Sequence, residues 1–217
     1  MAGVSEPADV DAWLDQLLIG NDPVLRTLPE SSAAGLPSIA VSPQQGKFLF
    51  LIAKAMGAKR VLEIGTLGGF STIWLARAVG PDGRVVTLEY EPHHAEIARA
   101  NLSRAGVAER VEVIVGAALE TLPSLASGAP FDLVFIDADK ESYPAYVRWA
   151  VELGRSGSLV VADNVIRGGH VVEPSDHRAR GVRDALELMA DDLRLQTAVI
   201  QTVGAKGWDG FAVAVVT

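Results

Sequence analysis

The sequence predicts an α/β fold: one mostly parallel sheet with helices on both faces and an antiparallel pair of strands at its end. Three observations lead there. From Arg60 onward, short apolar runs alternate with helical patterns, as βαβ units require. The run Val61 to Ile64 ends in Gly65-Thr-Leu-Gly-Gly69, and a helical pattern opens at Ser71. The last two apolar runs, Leu193 to Thr202 and Gly210 to Val216, have only Val203 to Asp209 between them, too little for a crossover helix, so they must pair antiparallel.

In order along the chain, residues 1 to 8 read as a frayed terminus. Asp9 to Ile19 reads as an amphipathic helix with Trp13, Leu14, Leu17 and Leu18 on one stripe. Gly20-Asn-Asp-Pro23 stops it, a short helix follows at about Val24 to Leu28, and Pro29 to Ser42 reads as a loop. Ser42 then caps a helix reaching Met56, with Pro43 at its first position, where the missing N–H costs nothing. Strands are expected at Arg60 to Ile64, Arg84 to Glu89, Val111 to Val115, Phe131 to Ile136 and Ser158 to Ala162. Helices are expected at Ser71 to Val79, Pro92 to Ala105, Ala118 to Leu125, Tyr143 to Leu153 and about Arg180 to Asp191.

The 217 residues fit a single domain, with residues 1–42 as helices and a loop suited to a lid or a dimer contact. A net charge of -8 argues against a surface built to neutralise phosphates, so nucleic acid is not the expected partner. With no cysteine there is neither a disulfide framework nor a thiolate metal site. No secretory leader and no run of the roughly 20 apolar residues that a membrane span needs is present, so no membrane partner and a cytoplasmic location are expected.

The chemistry collects at strand ends. The glycine turn lies where open α/β sheets place nucleotide-like ligands, and its spacing is not the G-x-G-x-x-G of dinucleotide binders. Glu89 closes the second strand, placed to accept from both hydroxyls of a ribose. Asp137-Ala-Asp-Lys140 follows the fourth strand and Asp163-Asn164 the fifth. Two carboxylates and an amide oxygen form an all-oxygen half-shell suited to Mg²⁺. The plainer alternative has Asp139 and Asp163 capping the segments that follow them. His93 and His94 read as solvated, His170 as a loop residue or an acceptor contact, and Tyr143 and Tyr146 as core aromatics or as lining of the acceptor pocket.

Together Glu63-Ile-Gly65, Glu89, Asp137-Ala-Asp-Lys140 and Asp163-Asn-Val165 resemble the cation-dependent O-methyltransferases, the family that includes the catechol and caffeoyl-coenzyme A enzymes. The resemblance runs from about Ile39 to the C-terminus. It implies a Rossmann-like, seven-stranded class I methyltransferase fold with an antiparallel last strand. It further implies that Asp137, Asp163 and Asn164 bind the divalent cation, Mg²⁺ or in its place Mn²⁺ or Ca²⁺, and that Lys140 is the general base. For the cofactor S-adenosylmethionine it implies Val41, Glu63, Gly65, Thr66, Ser71, Glu89 and Ala118, with Asp137 close to the methyl donor and so part of the catalytic set. Ser42 to Gly46 resembles the segment that closes over cofactor and acceptor, and a homodimer is implied. The implied acceptor is a small aromatic with vicinal hydroxyls. Catechol-type members carry a glutamate shortly before the last strand, and Gln201 to Asp209 shows no acid clearly at that place. Two other readings stand beside this one, a nicotinamide-dependent oxidoreductase and a non-catalytic cofactor sensor.

Overall fold

The computed structural model describes residues 5–217. Its seven strands are β1 (Arg60–Ile64), β2 (Arg84–Glu89), β3 (Val111–Val115), β4 (Leu133–Ile136), β5 (Leu159–Asp163), β6 (Leu195–Gly204) and β7 (Gly207–Val216). They form one sheet in the order β3-β2-β1-β4-β5-β7-β6. The first five are parallel, and β7 runs antiparallel to both β5 and β6.

The helices are α1 (Pro7–Leu18), α2 (Thr27–Ala33), α3 (Pro43–Ala55), α4 (Phe70–Val79), α5 (Pro92–Arg104), α6 (Ala118–Thr121), α7 (Tyr143–Glu152) and α8 (His177–Asp191). Alternate strand residues feed two separate cores, as a sheet buried on both faces requires. Leu62, Ile64, Val134, Ile136, Val160 and Ala162 pack against Tyr143, Val147 and Ala150 of α7 and Val182, Ala185 and Met189 of α8. Val61, Val85, Leu133, Phe135 and Val161 pack on the other face against Leu49 of α3, Ile73 to Ala76 of α4 and Leu102 of α5.

Strand order reverses between β1 and β4, because β2 and β3 extend the sheet one way and β5 to β7 the other. That reversal opens a crevice at the carboxyl ends of β1 and β4. Gly65 stands there at φ +101°, and a Cβ on it would lie 2.0 Å from the Asp137 carbonyl oxygen. Only glycine lets the two chain ends come this close.

Several boundaries differ from expectation. Residues 1–4 of the supposed frayed terminus lie outside the described residues, and Pro7 and Ala8 already belong to α1. Part of the supposed loop after Pro29 is helical, since a proline in a helix's first turn has no N–H to lose. Residues Pro23–Arg26 form a 3₁₀ turn capped by Asp22. Beyond Thr121 the chain tightens to 3₁₀ geometry over Leu122–Gly128, where Pro123 removes a donor. α8 starts three residues early because the Asp176 side chain accepts from Ala179 N and caps it. β4 starts two residues late, after Asp132 has turned its carboxylate onto Lys59 N and Arg60 N. The connection Val203 to Asp209 is mostly strand: Gly204 pairs with Gly207 across Ala205-Lys206, and Trp208 Nε1 donates to Gln201 Oε1 at 2.9 Å.

Candidate active site

A cavity of about 750 Å³ lies over the crevice. One end is walled by Gly65, Thr66, Leu67, Ser71, Leu88, Glu89 and the Gly116 to Leu119 segment, the other by Asp137 to Ser142, Tyr146, Asn164 and Arg167. Val41, Gly65, Thr66, Ser71, Glu89, Ala118, Asp137, Lys140 and Asn164 therefore reach one space. Glu63 and Asp163 stand behind its wall, 0% and 4% exposed.

Glu89 is held from several sides. Its Oε2 accepts from Thr66 N at 3.2 Å and Leu67 N at 2.7 Å, and Oε1 accepts from Glu91 N at 3.0 Å. His94 Nδ1 lies 3.3 Å from the same Oε1. The carboxylate is thus fixed at the tip of β2 against the glycine turn, where hydroxyls of a nucleoside sugar can reach it. His94 lines the cavity, which corrects its reading as a solvated residue; the exposed His93 ring instead lies 3.0 Å from Ala34 O.

Glu63 serves a different purpose in the geometry. Its carboxylate accepts from the hydroxyls of Ser71, Thr72 and Thr87, which ties β1, β2 and the start of α4 together. Burial pushes this carboxyl up to about 7, against the opposing pull of those three hydroxyls.

At the other end, Lys140 Nζ lies 2.9 Å from Asp137 Oδ1 and 2.6 Å from the Tyr143 hydroxyl oxygen. Tyr143 in turn donates toward the carbonyls of Ile136 and Asp163, so a single phenol links the ends of β4 and β5. Burial, with Asp137 and Asp163 adding to it, holds Tyr143 well above its ordinary value, so it stays a donor. Asp163 Oδ1 accepts from Asn164 N at 2.8 Å, and Asp139 accepts from the Tyr146 hydroxyl. Neither acid caps a helix, so the capping alternative does not describe them. Burial first and Asp137 second push the Asp163 carboxyl up to about 7, while Gln45 and Lys140 oppose the shift.

Among the described residues no three His, Cys, Asp or Glu side chains cluster as a metal group. The candidate set is two acids and one amide, with Asn164 at φ 56° turned onto the cavity wall. Two carboxylates close together beside an amide oxygen are an all-oxygen donor set suited to a hard divalent cation.

Sequence reasoning passed over three contributors. Lys206, at the β6–β7 turn, donates to Ala40 O and pins the strap before α3. Burial lowers its amine, and the charges of Asp137 and Asp163 partly restore it. Gln45 touches Asp163. Asp209 accepts from the N–H groups of Ile166, Arg167 and Gly210, so it shapes the loop after β5. Only contacts between segments far apart in the chain reveal these roles. His170 does not line the cavity, and Tyr143 is core while Tyr146 reaches the wall.

The O-methyltransferase family profile matches residues 20–211. A catechol O-methyltransferase of Mycobacterium tuberculosis is 64% identical over 212 residues, covering 97% of this chain and 96% of that protein. Among solved structures, cofactor-bound Rv0187 from MTB superposes with a TM-score of 0.95 at 62% identity, covering 99% of both chains. The O-methyltransferase from Bacillus cereus in complex with SAH gives a TM-score of 0.94 at 48% identity, covering 97% of this chain and 98% of that one. A profile that takes in the glycine turn, Glu89 and both acid-bearing strand ends, with relatives that match nearly end to end on the same sheet, shows that the chain belongs to the O-methyltransferase family.

Proposed function

We propose that the chain transfers the methyl group of S-adenosylmethionine to one hydroxyl of a small aromatic acceptor with vicinal hydroxyls, assisted by Mg²⁺. The observation that carries this is the single cavity with a nucleoside end at Glu89 and an acid–amide–lysine end at Asp137, Lys140 and Asn164. The SAH complex of the Bacillus cereus relative and the catechol enzyme of Mycobacterium tuberculosis support the two halves of the reading. Family membership sets aside the nicotinamide-dependent alternative. Lys140 with its flanking acids favours a working enzyme over a sensor.

Thr66 N and Leu67 N hold Glu89 on the sugar hydroxyls, with Ala118 beside the adenine and Val41, Gly65 and Ser71 around the methionine end. Asp137, Asp163 and Asn164 hold the cation, with Mn²⁺ or Ca²⁺ as substitutes. When bound, the cation would supply Lewis acidity that eases loss of the acceptor's hydroxyl proton. Lys140, as the free amine, takes the hydroxyl proton, the oxygen forms its bond to the methyl carbon, and the carbon–sulfur bond breaks with its electron pair passing to sulfur. The strap ending at Val41 and Ser42, pinned by Lys206, keeps donor and acceptor in register and excludes water. The chain acts as one domain, and the cytoplasm is its proposed location.

A homodimer completes the proposal. α1 exposes Trp13, Leu17 and Leu18 at 61%, 60% and 56%, beside an edge strand, β6, whose Ile200 and Val203 also face outward. Apolar patches of this kind mark contact surfaces. The deciding experiment is methyl transfer from labelled S-adenosylmethionine to catechol-like acceptors with Mg²⁺ and with EDTA. Transfer abolished by EDTA is the expected result; transfer indifferent to EDTA would return Asp137, Asp163 and Asn164 to structural roles.

A further inference from the structure

The loop after β5 carries a cation, Arg167, that pairs with no acid among the described residues. Around the acceptor end of the cavity each acid already has a donor. Asp137 faces Lys140 at 2.9 Å, Asp139 accepts from Tyr146, and Glu141 lies 3.7 Å from Arg178. Arg167 lines the same wall as Asn164, half-buried, and among the described residues its guanidinium forms neither an ion pair nor a hydrogen bond. Its charge acts at longer range on exposed Asp176, whose own oxygen is engaged in capping α8. In a chain of net charge -8, an unpaired arginine in a cavity wall needs an explanation.

The backbone supplies a second observation. Arg167 sits at φ 53°, in the left-handed region that a residue with a Cβ rarely adopts. Asp209 holds it there through bonds from Ile166 N at 3.0 Å and Arg167 N at 2.9 Å, and the Trp208 ring backs the loop at Gly169. A backbone clamped in this way from an adjacent strand fixes the point at which the arginine side chain leaves the loop.

We propose that Arg167 is the specificity residue for the acceptor. Its guanidinium receives a carboxylate on the aromatic ring, so the preferred substrates are dihydroxyaromatic acids rather than neutral catechols. This rests on the methyltransferase reading of the cavity. An arginine fork pairs with a carboxylate through two parallel bonds, which fixes the ring as well as binding it. With its vicinal oxygens held at one edge and its carboxylate at the other, the ring presents one hydroxyl to the donor in preference to its neighbour.

The test compares 3,4-dihydroxybenzoate with its neutral amide, 3,4-dihydroxybenzamide, at saturating S-adenosylmethionine and Mg²⁺. Wild type is expected to favour the acid in kcat/KM by about tenfold or more, through KM, as a charge-assisted bond in a half-enclosed site gives. In Arg167→Gln that preference collapses toward unity and the ratio of the two methylated isomers evens out, while Arg167→Lys retains part of the preference. Added NaCl should raise KM for the acid and leave that for the amide, a readout that needs no variant. Equal use of the two acceptors by wild type, or equal losses for both in Arg167→Gln, overturns the proposal and leaves the methyltransferase reading standing. If neither these acceptors nor catechol itself is methylated, the reading of the site falls, and this proposal with it.

Discussion

Asp163 and Glu63 are both buried acids pushed up to about 7, yet they do opposite things in the fold. Asp163 has Asn164 N as its backbone donor, the Gln45 side chain as a second partner, and a like charge nearby, a burden that a cation would relieve. Asp163→Ala should abolish Mg²⁺-stimulated turnover while S-adenosylmethionine still binds, read by turnover and by calorimetry; unchanged turnover would refute the metal assignment. Glu63 is satisfied by three hydroxyls and points away from the cavity. Its unfolded form releases its proton near 4.5 and its folded form near 7, so the folded state binds the extra proton between them. Its stabilising contribution is therefore complete below about 4.5 and is lost as pH rises through about 7, an effect of about 3 kcal/mol at most. Glu63→Gln should flatten the decline in urea-unfolding stability across that window. Identical slopes in variant and wild type would show that this carboxyl does not titrate there.

The β1 turn and the loop after β4 act as one element, because Gly65 meets the Asp137 carbonyl where the sheet reverses. Gly65→Ala combines an unfavourable φ with a Cβ placed 2.0 Å from that oxygen. The expected loss in urea unfolding is about 4 kcal/mol, near the upper end for single substitutions. A loss under about 1 kcal/mol would mean that the two strand ends part easily. The glycine was legible because its place after an apolar run and before a helix allows few other readings. The close approach was not, since the oxygen it accommodates belongs to a residue far along the chain. The same reason hid the β6–β7 hairpin's reach: its strands were visible as apolar runs, but the contacts of Lys206 with the strap and of Asp209 with the loop after β5 come only from folding.

At the scale of the whole molecule, the exposed stripe of α1 lies beside the outer edge of β6, where Asp11 accepts from Ala205 N at 2.7 Å. Packing a second copy there would cover Trp13, Leu17 and Leu18 and an edge strand together. Trp13→Glu with Leu17→Glu is expected to convert a dimer to a monomer in analytical ultracentrifugation without loss of secondary structure. A wild-type chain that is already monomeric at tens of micromolar would end the dimer proposal. No helix among the described residues is long and apolar enough to cross a membrane.

What the sequence determined by itself was periodic and local: alternating apolar runs, a glycine turn after the first strand, acids just past the second, fourth and fifth. In an open α/β sheet a strand-end position is already a position on the ligand rim, so Glu89, Asp137, Lys140 and Asn164 could be placed on one side before any folding. What only the tertiary structure decided was which oxygens remain free. Glu63 turned its carboxylate inward onto three hydroxyls, His94 turned onto Glu89, and Arg167 was left in the cavity wall with no ion pair among the described residues. Direction and pairing depend on burial and on partners from distant strands and helices, and no spacing along one chain encodes them.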